Sequence, residues 1–64
     1  MEIYEYKFRW LDEYPTVEKV VYADNLTDAK AIVHEEWPNL NTDQAHIERI
    51  KGNGEPEQNF PPAL

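Results

Sequence analysis

The chain offers little to the chemistry of covalent catalysis. It contains no serine and no cysteine, so the usual acyl-transfer nucleophiles are missing and three threonines are the remaining aliphatic hydroxyls. Two glycines, both in Gly52-Asn53-Gly54, follow the last periodic segment instead of joining a strand to a helix, so no phosphate-cradling loop is present. General acid–base work needs a carboxylate or imidazole with a shifted pKa in a cleft. The acidic pairs Asp12/Glu13 and Glu35/Glu36 fall on a loop and at a helix end, where solvated surface is expected. His34 and His46 are too far apart for a metal-ligand motif. The sequence therefore predicts no catalytic residues, no metal and no cofactor: a chain that is not an enzyme and acts by binding.

The residues that could serve binding are charged. Thirteen Asp and Glu against six Lys and Arg give a formal charge of −7 on 64 residues. Such a field favours solubility, opposes contact with a phosphate backbone and speeds encounter with basic surfaces. Four of the six cations, Lys7, Arg9, Arg49 and Lys51, fall on two segments expected to be neighbouring strands. They predict a local positive patch on an acidic body, suited to a protein partner of mixed charge. The bland alternative is cross-strand pairing with Glu5 and Glu48, worth a fraction of a kcal/mol per pair.

These residues need a scaffold, and a chain this short is near the lower limit for folding unaided, burying about 60% of the surface its unfolded form exposes. Without cysteine there is no disulfide or thiolate–metal staple. Two Trp, four Tyr and two Phe supply a core instead. Residues 2–10 alternate, with Tyr4, Tyr6, Phe8 and Trp10 on one face and Glu5, Lys7 and Arg9 on the other, which predicts a first strand. Asp12-Glu13-Tyr14-Pro15 breaks it. A second strand over 16–23 is rich in Val, but Lys19 interrupts the Val17/Val21 face, which suggests a bulge or cover on both sides. Asn25 reads as a helix cap, followed by the stripe Leu26, Ala29, Val33 and Trp37 with Ile32 beside it, ended by Pro38. Residues 45–51 alternate as a third strand.

The expected fold is α+β, with order ββαβ and a three-stranded sheet ordered 2-1-3. One helix packs on one face, and the crossover leaves the second and third strands parallel. Residues 1–54 form the domain, and 55–64, holding three of the five prolines, read as a flexible tail. No segment has the ~20 apolar residues of a membrane-spanning helix. Met1-Glu2-Ile3-Tyr4-Glu5 lacks the basic start and apolar run of a signal peptide, so the expected compartment is the cytoplasm.

The run Val21-Tyr22-Ala23-Asp24-Asn25-Leu26-Thr27-Asp28-Ala29, a helix closing in Glu36-Trp37, and Ile47-Glu48-Arg49-Ile50-Lys51 together resemble the small host RNA polymerase inhibitors of lytic podoviruses. The resemblance implies a phage protein, a three-stranded sheet with one helix, and docking on the jaw of the largest subunit of bacterial RNA polymerase, blocking open-complex formation. It implies a contact role for the basic pair Arg49 and Lys51, two apart on the last strand, and for an acidic strip at Asp28, Glu48 and Glu18. Lys51 stands where that family carries Arg, which removes a bidentate fork. A second expectation, from the charge alone, is an acidic DNA mimic that occupies the DNA-binding groove of a host nuclease or regulator. A third is a weak homodimer formed by pairing the exposed edges of the second or third strand.

Overall fold

The structure, a computed structural model, describes residues 2–62. Strand β1 (Tyr4–Trp10) pairs antiparallel with β2 (Val17–Ala23) and, on its other side, with β3 (His46–Ile50). Because both flank β1 antiparallel, β2 and β3 run in the same direction, as the expected crossover requires. Helix α1 (Leu26–Glu36) joins them. A fourth strand, β4 (Pro56–Phe60), pairs antiparallel with β3 and gives the sheet order β2-β1-β3-β4.

The expected three-stranded sheet is thus corrected to four strands, and the added strand comes from the segment read as a flexible tail. Pro-Glu-Gln-Asn-Phe shows no alternation because its contribution is mostly backbone. Four of the five residues are exposed and Phe60 alone is half-buried. A proline at the start of an edge strand costs no ladder bond that a neighbour needs. The turn ahead of β4 closes through Gly54 N–H to the Lys51 carbonyl at 2.9 Å and Lys51 N–H to the Glu55 carbonyl at 2.8 Å. Gly54 has φ 86°, a region where a side chain would be strained.

The helix is placed by its sequence. Asn25 caps it, accepting from Asp28 N–H at 2.8 Å, and Trp37 closes it by donating its N–H to the Val33 carbonyl at 2.8 Å. Ala29 and Val33 are buried, Leu26 and Trp37 half-buried, and Ile32, expected beside the stripe, is exposed. The core lies between α1 and one face of the sheet: Tyr6, Phe8 and Trp10 from β1, Val21 and Ala23 from β2, and Ile47 from β3. Trp10 Nε1 donates to the Asn41 carbonyl at 2.8 Å, so its one polar atom is satisfied inside the core. That carbonyl precedes a single 3-10 turn, Thr42–Gln44.

No bulge breaks β2, which pairs with β1 without a register shift. Lys19 interrupts the apolar face because its ammonium lies 4.8 Å from the centre of the Trp37 ring, a cation–π contact that lets its stem cover the core edge. Val20 points to the opposite face and is exposed. The Tyr14–Pro15 peptide bond in the β1–β2 loop is cis.

Candidate protein-binding surface

Directly paired residues of an antiparallel ladder share a face, so the register assigns every charged strand residue to one side of the sheet or the other. On the face away from α1, three rows cross the first three strands. Tyr22, Glu5 and Ile50 form one row, Val20, Lys7 and Glu48 the next, and Glu18, Arg9 and His46 the third. Asn59 extends the middle row onto β4. The diagonal between rows is an ion pair: Arg9 Nη2 donates to Glu48 Oε1. Glu48 is only 7% exposed, and Arg9 Nε is buried without a partner.

Arg49 is not on that face. Its register partner is Tyr6, and Ile47 pairs with Phe8, so Arg49 shares the core side of the sheet. It lies beyond the cover of α1. Its guanidinium carbon sits 4.3 Å from the centre of the Tyr4 ring, and its Nε donates to Glu57 Oε2 at 3.0 Å. Lys51 is exposed just past the end of β3, at the start of the turn to β4. The four cations expected in one patch are therefore split: Lys7 and Arg9 on the open face, Arg49 on the core side, and Lys51 at the strand end. The sequence carried the signal. If Ala45 and Ile47 face the core, a strict alternation sends Arg49 to the same side.

The acidic residues divide as well. Glu18 and Glu48 flank Arg9 on the open face, whereas Asp28 is exposed in the first turn of α1. A hydrogen bond shared with the neighbouring Asp24 carboxylate raises the Asp28 pKa above the ordinary carboxylate value, and burial and the Asp24 charge add to the rise. The Tyr4 hydroxyl donates to Glu2 at 2.7 Å, and that acceptor holds the phenol above its usual value.

Sequence reasoning missed the surroundings of these residues. Glu57, the partner of Arg49, comes from the unexpected strand. Tyr22 and Ile3 are 63% and 60% exposed. With Glu5 and Ile50 they line a cleft of about 390 Å³ at the end of the sheet, which Lys51 rims and which reaches round to Tyr4 and Glu57 beside Arg49. The outward parity of Val20 and Tyr22 in β2 was the signal for the apolar part.

Among the described residues no three His, Cys, Asp or Glu side chains gather as a metal site. Among them, too, no helix is long and apolar enough to cross a membrane. Comparison of the chain with protein-family models, with curated proteins and with solved structures found no match.

Proposed function

We propose that this chain is a phage-encoded, protein-binding inhibitor that docks on the host's bacterial RNA polymerase and blocks host transcription, without chemistry of its own. The observation that carries the reading is the state of Arg49. An arginine held by a ring on one side and a carboxylate on the other has lost much of its rotamer freedom before any partner arrives, while 24% of its side chain remains exposed. Lys51 stands two residues further along the same strand line. A fixed arginine with a neighbouring lysine suits an acidic patch on a larger protein, and the polymerase jaw is the target that the resemblance over residues 21–51 suggests. The resemblance implies a three-stranded sheet with one helix, and the four-stranded sheet here contains three such strands with one helix joining β2 to β3.

Affinity capture from bacterial lysate tests this reading. The wild-type chain should retain RNA polymerase, and Arg49→Glu with Lys51→Glu should release it. Failure to retain the enzyme, or retention unaffected by the double substitution, refutes it. An acidic DNA decoy would instead compete with DNA for its target and lose affinity steeply with salt.

A further inference from the structure

Three exposed large apolar side chains stand on the open sheet face, while Leu11, Tyr14 and Ile32 lie elsewhere. Tyr22 and Val20 project from β2, and Ile3 stands ahead of β1 beside Tyr22. Glu5 sits between Tyr22 and Ile50, directly opposite each across its two ladders. Glu5 takes part in neither of the ion pairs found among the described residues. A carboxylate between an exposed tyrosine ring and aliphatic walls, in a cleft of about 390 Å³, has the parts needed to hold one long cationic side chain.

We propose that this cleft receives an arginine side chain of a partner protein. The Tyr22 ring offers a plane on which a guanidinium stacks, Glu5 accepts its fork, and Ile3 and Ile50 pack along the methylene stem. A lysine has the stem but neither the plane nor the fork, so it binds less well. The chain's charge of −7 draws a basic partner in and keeps a phosphate backbone out. A second copy is a poor source of the arginine, because the chain's two arginines, Arg9 and Arg49, are both held in ion pairs. Lys51 stands on the rim of the cleft and opposes the incoming charge. The groups that take the arginine, Glu5 and Tyr22, have no part in the polymerase reading, but the cleft adjoins that site: Lys51 belongs to both, and Tyr4 and Glu57, which hold Arg49, also line it.

Amide chemical shifts of the full chain, titrated with a blocked Gly-Arg-Gly peptide, test the proposal. Shifts should centre on Ile3, Tyr22, Ile50 and Gly52 and saturate at millimolar peptide. The citrulline counterpart, which keeps the shape and removes the charge, should give none, and the lysine counterpart should bind more weakly. Glu5→Gln should weaken the arginine peptide about tenfold or more, the loss of one charge-assisted pair. Tyr22→Ala should weaken it also, and Lys51→Ala should tighten it. An absence of shifts, shifts spread over Asp24, Asp28 and Glu35 in place of the cleft, or binding that survives Glu5→Gln overturns the site.

Discussion

Arg49 lies with its guanidinium carbon 4.3 Å from the centre of the Tyr4 ring, and this contact orients the one arginine on the core side of the sheet. The ring belongs to the first residue of β1 and the arginine to β3. The carboxylate that completes the arrangement, Glu57, belongs to β4 at the register shift between Arg49 and Ile50. Three strands thus converge on one cation, although the sequence separates them widely.

Removing the ring and removing the carboxylate should have different effects. Tyr4→Phe keeps the stacking surface and should leave stability within about 0.5 kcal/mol, whereas Tyr4→Ala should cost about 1–2 kcal/mol through lost contact and a freed arginine. Glu57→Gln should cost less than about 1 kcal/mol, because the pair is partly exposed. It should also weaken polymerase capture, since Arg49 then loses one of the two groups that fix it before a partner arrives. Urea denaturation reads the first set and polymerase capture the second. Stronger capture by Glu57→Gln would show that the carboxylate competes with the partner for Arg49 instead of holding it in place.

The open-face ion pair should respond more strongly. Glu48→Ala strands the Arg9 guanidinium, whose Nε already lacks a partner, in a setting where Glu48 is nearly buried. Arg9 is 36% exposed along its side chain, so water relieves part of the cost, and about 1–3 kcal/mol of destabilisation is expected. Arg9→Met combined with Glu48→Leu should recover most of that loss, because apolar neighbours need no counter-charge. A double variant as unstable as the sum of its two single changes would mean that the two residues stabilise the fold separately.

Alternation made the first strand legible, with four aromatics at even positions and charges between them. The helix was legible from its Asn25 cap and its terminating Pro38. These signals are local, and the folded chain keeps them. Sheet order followed from connectivity, because a helix joining β2 to β3 leaves the first strand between them. β4 was hidden because an edge strand with its side chains in solvent needs no apolar pattern, and Phe60 alone meets the core. The binding patch was misplaced for a different reason. Charge was counted by strand, when in a sheet the face decides, and one residue of parity separates Glu48 beside Arg9 from Arg49 beside Tyr4.

Stability should fall as acid pH is raised through the titration of Asp28. Asp28 has its folded pKa raised by the Asp24 carboxylate. Between the ordinary carboxylate value and that raised value the folded state therefore binds more protons than the unfolded one, and stability declines with rising pH. Asp24→Asn removes the repulsion and should return Asp28 to its ordinary range while leaving the Asn25 cap intact. Carboxyl-carbon chemical shifts against pH measure this directly. An Asp28 titration that Asp24→Asn does not move would place the cause elsewhere.

β4 should open before the rest of the sheet. Its hold on β3 consists of ladder hydrogen bonds, the solvent-accessible Arg49–Glu57 pair and the half-buried Phe60. The β1 ladders, in contrast, lie over Phe8 and Val33, both fully buried. Local stability follows buried apolar contact, so amides shared between β3 and β4 should exchange with solvent faster than those shared between β1 and β2. Phe60→Ala should speed exchange in the β3–β4 ladder while costing about 1–2 kcal/mol globally at most. Phe8→Ala, at the centre of the core, should cost about 3–5 kcal/mol, enough to unfold a domain whose whole stability is of that order. Hydrogen exchange with the two variants separates a strand that opens independently from one that melts with the sheet. Equal acceleration of every ladder by Phe60→Ala would make β4 an integral part of one cooperative unit.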